Sequence, residues 1–380
     1  MRLSKSFSLS VAAFLCSSSL LFAQKNEIIV NNPGDLERTE LVSVSWNELA
    51  QQFPKIDSTN FKLIDGATKK ELPYQLETNG TGHVVNALIL VSLHPKGTMK
   101  IDVEKGKPAK VASKTYCRFV PERKDDFAWE NDEIAFRMYG KALENFPSEM
   151  GWGNDVWVKR TDRLILNERY KRGEYHIDHG DGMDYYHVGK SLGDGMVLPY
   201  LGDSICYSNN FCRWKVLDNG PLRSTFQLEY DPWTVGTQSV SVVRTISLDA
   251  GSQLNKTSVV FTFSQTNSLP VVIGLAKRKD AGVVYNNEQT GVAAYWEPTD
   301  KADGTTGVAS ILQDGKETAL VTSEHVLSLS KVTSGAPFVY YNGACWDRAG
   351  KIKSASEWFK YVNDFQIKLA HPLTITFSKK

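Results

Sequence analysis

Short β-branched segments, separated by turn-forming residues, restrict the fold of this chain more than any other feature of its sequence. Four of them lie in the first quarter of the chain, at 27–30, 41–46, 61–64 and 87–91. Asn-Pro-Gly, Asp-Gly and Asn-Gly sequences lie between them, which is typical of turns joining antiparallel strands. Residues 24–112 are therefore predicted to form a small β-sandwich of the immunoglobulin or fibronectin type.

Longer alternating segments follow in the rest of the chain. Apolar and polar residues alternate at 133–139, 226–230, 240–248, 258–263 and 373–377. This pattern is typical of strands with one buried face, and no long helical period competes with it. Only 47–53 and 356–362 are predicted as helices. We therefore expect an all-β protein in which 113–380 form a large antiparallel β-sandwich, after a boundary in the Lys/Gly/Pro-rich stretch 105–110.

Residues 1–23 have the features of a secretory signal peptide. A basic start is followed by an apolar, Ser-rich stretch, and Ala23 precedes the predicted cleavage site. No other segment approaches the ~18 apolar residues of a membrane helix, so no membrane insertion is predicted. A lipoprotein with Cys16 as its lipid anchor is less favoured, since bulky residues precede that cysteine. The protein is expected to be exported, to the periplasm or beyond.

Charge and composition narrow the function. The 380 residues contain 44 Lys and Arg against 43 Asp and Glu, and removal of 1–23 shifts the formal net charge from +1 to −1. That balance argues against a nucleic-acid binder, which needs a large positive excess. Aromatic residues make up 11% of the chain, which suits a β-rich protein with aromatic-lined clefts, although most aromatic side chains belong to cores.

Four cysteines remain after the predicted cleavage, namely Cys117, Cys206, Cys212 and Cys345. In an oxidising compartment they can pair, and Cys206 with Cys212 would close a short loop. Buried free thiols are the equally open alternative. The spacings match neither a zinc ribbon nor a Cys-x-x-Cys redox motif.

Polar residues are densest in 174–203. His176, His179 and His187 lie within twelve residues of one another, with Asp178 and further aspartates and tyrosines between them. Frequent glycines predict loop and short strand here. Three interpretations stay open, namely a solvated loop, a proton-transfer site and a site for a divalent cation.

Basic and aromatic residues recur just upstream, between 123 and 160. Indole rings pack on the C–H faces of sugars, and Arg or Lys pairs with a carboxylate or sulfate. Next to the histidine-rich segment, these residues favour a site for an anionic sugar.

Several motifs, in this order, resemble those of domain-of-unknown-function family 4861. They are DDFAWEND at 125–132, IAFRMYG at 134–140, DVWVKR at 155–160, Tyr175-His176 with Asp178, GMDYYHVG at 182–189 and GACW at 343–346. Members of this family are exported by polysaccharide-degrading bacteria, and one is similar to an oligosaccharide dehydratase of ulvan breakdown. The resemblance implies a galactose-mutarotase-like β-sandwich. It also implies a dehydratase that removes water from a terminal uronic acid and leaves a 4,5-unsaturated residue.

Such an elimination needs a base for the C5 proton, an acid for the leaving hydroxyl and a positive charge at the carboxylate. The predicted catalytic residues are His176 and His179 as alternative bases and Tyr185 and Tyr186 as alternative acids. The predicted substrate-binding residues are Trp129, Arg137, Trp157, Lys159 and Arg213. A weaker metal prediction involves His187 and Asp178, which leaves a divalent cation open as the cofactor.

Two other functions compete with the dehydratase hypothesis. A polysaccharide lyase would use the same elimination to expel a sugar, and a non-catalytic carbohydrate-binding protein would use the same cleft without chemistry. A hydrolase is less favoured because no carboxylate pair is recognisable in the sequence. The expected partner in each case is an acidic oligosaccharide, and the oligomeric state stays open.

Overall fold

A computed structural model describes residues 26–313 and 318–378 of the chain. The predicted signal peptide and its cleavage site after Ala23 lie outside the described residues. Within the described part, no helix has both the length and the apolar character needed to cross a membrane.

The N-terminal part is a small β-sandwich. Its elements are β1 (Glu27–Asn31), β2 (Arg38–Ser45), α1 (Trp46–Gln52), β3 (Phe61–Asp65), β4 (Tyr74–Glu77), β5 (Asn86–Leu93) and β6 (Thr98–Lys105). The sheets β1-β6-β3 and β2-β5-β4 face each other across one core that includes Ile28, Leu63 and Ile89. The small N-terminal sandwich and its short helix match the prediction.

The remaining elements follow in chain order. They are β7 (Thr115–Val120), β8 (Asp126–Asn131), β9 (Ala135–Met138), β10 (Asp155–Lys159), α2 (Leu166–Arg172), β11 (Gly182–Met183), β12 (Asp194–Leu201), β13 (Ser204–Ile205), β14 (Phe211–Asn219), β15 (Arg223–Val235), β16 (Gln238–Asp249), β17 (Leu254–Thr262), β18 (Ser268–Ala276), β19 (Val283–Asn287), β20 (Val292–Trp296), β21 (Thr306–Leu312), β22 (Thr318–Val321), β23 (His325–Thr333), β24 (Pro337–Trp346), α3 (Ala355–Ala370) and β25 (Thr374–Phe377). Short 3-10 turns lie at Pro121–Arg123, Lys141–Asn145 and Asp347–Ala349.

The large β-sandwich is built on an eight-stranded antiparallel sheet, β14-β15-β16-β17-β24-β21-β20-β19. Two five-stranded sheets, β13-β12-β18-β23-β22 and β11-β10-β9-β8-β7, share one core with it, to which Phe226, Val272 and Phe136 contribute. Helix α3 covers the opposite face of the large sheet, where the Trp358 indole donates to the carbonyl of Val308 at 3.1 Å. The predicted all-β fold is confirmed.

The last strand crosses the predicted domain boundary. The sequence assigned all of 113–380 to the large sandwich, but β25 pairs with β1, with Ile28 opposite Phe377. The helix predicted at 356–362 extends to Ala370. Arg38 donates to the carbonyls of Lys368 and His371 at 3.2 and 2.9 Å, so the end of α3 directs the chain back to the N-terminal sheet.

Free thiols, rather than disulfides, are present at all four cysteines of the described residues. Cys117 and Cys345 are buried, whereas Cys206 and Cys212 are partly exposed. The predicted alternative of a Cys206–Cys212 bridge is therefore not formed in this structure.

Gln75 is one of the side chains that join the two sandwiches. The Gln75 side-chain oxygen accepts from the N–H groups of Leu222 and Arg223 at 2.7 and 2.8 Å. Its amide nitrogen donates to the Arg223 carbonyl at 2.9 Å. Only 4% of Gln75 is exposed, so these bonds replace water at the start of β15.

Replacing Gln75 by Ala is expected to destabilise the protein, because it leaves buried backbone groups at the junction without partners. The expected loss in the free energy of unfolding is about 1–3 kcal/mol, measured by urea denaturation. Gln51→Ala, in the exposed part of α1, is the matched control and should change stability little. Equal stability of the two variants would contradict the role of Gln75 at this junction.

Candidate functional site

Three buried aspartates surround the side chain of Arg137. Arg137 Nη2 lies 2.5 Å from Asp155 Oδ2 and 2.9 Å from Asp184 Oδ2, and its Nε lies 3.8 Å from Asp126 Oδ2. Strand pairing explains two of these contacts. Asp155 stands directly opposite Arg137 on β10. Asp126 is two residues from Ala128, which faces Arg137 on β8, so its side chain projects from the same face of the sheet.

Aromatic rings enclose the same guanidinium. Its carbon lies 4.9 Å from the ring centre of Trp157, 5.1 Å from that of Tyr139 and 5.8 Å from that of Tyr175. Tyr175 also stacks on Trp157, with ring centres 4.9 Å apart. Arg137 is consequently 3% exposed, and its charge is balanced inside the protein.

Two of the buried aspartates, Asp126 and Asp155, have raised pKa values. Burial raises the pKa of Asp126 to about 7, and the nearby Arg137 and Arg123 offset only part of that rise. Burial and the neighbouring Asp184 also raise the pKa of Asp155. Asp126 and Asp155 therefore bind a proton more tightly than exposed aspartates do.

His176 lies above this cluster and faces solvent. Its Nδ1 is 2.7 Å from the backbone carbonyl oxygen of Asp184 and 3.6 Å from the carboxylate of the same residue. Because a carbonyl oxygen only accepts, Nδ1 carries the hydrogen in the neutral ring and Nε2 carries the lone pair. The side chain is 68% exposed. His176 therefore presents an oriented base to solvent.

Tyr185 and Arg160 both lie beside the ring of Trp346. The Tyr185 hydroxyl is 2.6 Å from Thr306 Oγ1, and its ring centre lies 6.4 Å from that of Trp346. The Arg160 guanidinium lies 4.7 Å from the Trp346 ring centre. Burial raises the pKa of Tyr185 above its usual value, so this hydroxyl stays protonated at neutral pH and keeps its hydrogen-bond donor.

A second arginine, Arg278, holds the chain at His187, two residues after Tyr185. Arg278 Nη1 donates to the His187 carbonyl at 2.6 Å, and its Nε lies 2.5 Å from Glu297 Oε1. The guanidinium carbon lies 4.4 Å from the Tyr186 ring centre. Burial raises the pKa of Glu297 to about 7. Tyr186 is only 3% exposed, so of the two predicted acids Tyr185 is the better placed.

Four of the predicted substrate-binding residues are wrong as surface contacts, because they are buried. Trp129, Trp157, Lys159 and Arg137 are at most 3% exposed. Trp129 donates to Asn255 Oδ1 at 2.7 Å, and Lys159 Nζ lies 2.8 Å from Glu130 Oε2. Strands β8, β9 and β10 are covered on both faces, so every residue in them is buried. The prediction had assumed that these aromatic and basic side chains reach the surface.

The other predicted residues have separate surroundings. Arg213 lies on the edge strand β14, where it pairs with Glu229 at 2.8 Å. The His179 ring approaches Glu174, with Nε2 3.6 Å from Oε2. The Asp178 carboxylate pairs with Arg160 at 2.5 Å and accepts from two backbone N–H groups. These contacts engage the Asp178 carboxylate that the sequence paired with His187 in the weaker metal prediction. Across 26–313 and 318–378, no group of three or more His, Cys, Asp or Glu is arranged to hold a metal ion.

Sequence reasoning missed the residues that complete the site. Arg160 was visible within the basic and aromatic cluster but not selected as a site residue. Thr306 lies 121 residues from Tyr185 along the chain, and no local spacing connects them. Trp346 appeared only as the last residue of the GACW motif at 343–346.

Comparisons with known proteins agree with the fold. The family described as "Domain of unknown function (DUF4861)" matches residues 30–375. An uncharacterized protein of Formosa agariphila is 30% identical over 97% of each chain. Two solved structures from Enterococcus faecalis, an alpha-mannosidase and a protein in glycosyl hydrolase family 38, match with TM-scores of 0.55 and 0.56 at 8% and 9% identity. Both matches cover 94% of this chain but only about half of the solved chains, 46% and 48%.

Replacing Asp126 by Asn is expected to flatten the pH dependence of stability. The folded protein, in which the pKa of Asp126 is about 7 instead of the usual 3.8, keeps a proton that the unfolded chain releases at lower pH. The free energy of unfolding therefore falls as the pH rises from about 4 to about 7, by up to about 1.4 kcal/mol per pH unit for this group. Urea denaturation across this range should give a smaller fall for the variant.

Asp162→Asn, at an exposed position, is the control for this experiment and should follow the wild-type pH dependence. An Asp126→Asn protein with the same fall as wild type would contradict the raised pKa of Asp126.

Proposed function

This chain belongs to the DUF4861 family, and we propose that it is a hydro-lyase that removes water from the terminal uronic acid of acidic oligosaccharides. The observation that carries the proposal is the orientation of His176. Its Nδ1 is held by the Asp184 carbonyl, so the Nε2 lone pair points away from the buried cluster toward solvent. A base fixed in this way can take a proton from a bound sugar.

The reaction transfers one proton to the enzyme and one from it. His176 Nε2 accepts the proton on C5 of the uronate, which is α to the carboxylate. The electron pair of that C–H bond forms the C4–C5 double bond, and the C4–O bond breaks. Tyr185, kept protonated by burial, donates its proton to the departing hydroxyl, which leaves as water.

Negative charge develops at the substrate carboxylate during proton removal and needs a cation close by. Arg160 is the arginine best suited to this role. Its guanidinium is fixed over the Trp346 ring, and one nitrogen pairs with Asp178, which leaves further N–H donors for a carboxylate. Arg137 is already balanced by three carboxyl groups, and its role in this proposal is to fix Asp184 and hence His176.

Hydrolysis by a carboxyl pair is less well supported. Asp126 and Asp155 have the raised pKa values that a catalytic acid needs, but both are 0% exposed and cannot touch a sugar. The solved structures at 8% and 9% identity support the fold alone. We also propose that residues 1–23 direct export of the protein. We propose in addition that ulvan is the polysaccharide from which the oligosaccharides come.

His176→Ala is expected to lower kcat by at least about 100-fold, because the C5 proton loses its base. The assay follows the ultraviolet absorbance of the conjugated double bond on uronate-ended oligosaccharides. His179→Ala, which alters a histidine that pairs with Glu174, should keep near wild-type turnover. Full turnover by His176→Ala would exclude His176 as the base.

The mass of the product separates the competing functions in the same assay. Loss of one water from an intact oligosaccharide is expected for the hydro-lyase. Two shorter fragments, one of them unsaturated, would identify a polysaccharide lyase. Saturable binding with no new absorbance would identify a carbohydrate-binding protein.

Arg160→Gln is expected to raise KM for uronate-ended oligosaccharides by about tenfold, because the substrate carboxylate loses a charged partner. Arg163→Gln is the matched control, since Arg163 is exposed and pairs with Glu168. Steady-state kinetics on both variants test the assignment. Equal KM values for the two variants would contradict a carboxylate contact at Arg160.

A further inference from the structure

We infer that Trp152, Tyr207 and Lys190 form a second subsite, which binds a further anionic sugar unit of the same oligosaccharide. This inference rests on the proposed function for its substrate class. The three side chains come from separate parts of the chain and meet at one corner. The ring centres of Trp152 and Tyr207 are 5.7 Å apart, and Lys190 Nζ lies 5.8 Å from the Trp152 ring centre.

The corner lies just beyond residues 176–187, the stretch that carries His176 and Tyr185. Lys190 is three residues beyond His187, whose carbonyl is held by Arg278. Gly153, next to Trp152, packs directly on the backbone there, since an added Cβ would lie 2.3 Å from the Gly193 nitrogen. Trp152 is thereby fixed beside the far end of the segment.

Packing does not account for this tryptophan. Trp152 is only partly buried, and it belongs to none of the hydrophobic clusters formed by the described residues. Tyr207 is also partly buried, and its hydroxyl donates to the Lys190 carbonyl at 3.3 Å. The two rings are therefore held in place while part of the indole surface faces solvent.

The chemistry of the corner suits an anionic sugar. An indole face packs against the C–H surface of a pyranose ring, and the lysine ammonium pairs with a carboxylate or sulfate on it. Arg160 pairs with Asp178, and Lys190 lies over the Trp152 ring. Arg160 and Lys190 thus place two positive charges, one by Asp178 and one by Trp152, for a chain with more than one anionic unit.

The experiment measures affinity as a function of oligosaccharide length. His176→Ala protein, in which turnover is expected to be at least about 100-fold slower, is titrated calorimetrically with a uronate-ended disaccharide and a uronate-ended tetrasaccharide prepared from ulvan. Adding Trp152→Ala is expected to weaken tetrasaccharide binding about tenfold and to leave disaccharide binding unchanged. Adding Lys190→Gln should reduce the salt dependence of tetrasaccharide binding only.

Trp214→Ala in the same background is the matched control, because Trp214 is 44% exposed on β14 and stacks on Phe119. Equal tetrasaccharide affinity for the Trp152 and Trp214 variants would overturn the subsite, whatever reaction the enzyme catalyses. An equal loss for both saccharides would also overturn it, since the contact would then belong to the terminal unit. Length-dependent binding without any elimination product from the wild-type protein would support the subsite and refute the hydro-lyase.

Discussion

The Arg137 guanidinium is the interaction on which the site depends. Each carboxylate buried beside it would be unstable alone, because removing an isolated charge from water costs far more than a single hydrogen bond returns. The three aspartates reach it from β8, β10 and the segment before Tyr185, at distances from 2.5 to 3.8 Å. Arg137 therefore ties a loop to a sheet, and the position of His176 follows from that connection.

The fold was largely predictable because strand periodicity is a local property. Both sandwiches and both predicted helices are present, and the main difference is the strand Thr374–Phe377, whose alternation identified a strand but not its partner. Whether this strand joins the N-terminal sheet or the large sandwich depends on where α3 ends and on the carbonyls that Arg38 binds. Those contacts join residues more than 300 positions apart, and no single-sequence pattern encodes them.

The site was predictable only in part, for the same reason. His176, Tyr185 and the aspartates around them were visible as a dense polar segment. The tryptophans and Lys159 were misassigned because a cluster of aromatic and basic residues was taken for a binding surface, whereas β8 and β10 are covered on both faces. Gly182 helps to produce that cover. It has a φ of +96°, and an added Cβ would lie 2.1 Å from the Val158 carbonyl oxygen, so the segment packs directly on β10.

The pairing of the last strand with the first has a consequence for how the chain becomes folded. The N-terminal sheet has a pairing edge on β1 that stays open until Thr374–Phe377 arrives, and the Glu27 N–H bonds Ser378 across 351 residues. A chain emerging in order, N-terminus first, therefore carries an incomplete sheet until its final residues are present. An exposed strand edge invites pairing with other chains. Protection of that edge during synthesis is a requirement set by the topology itself.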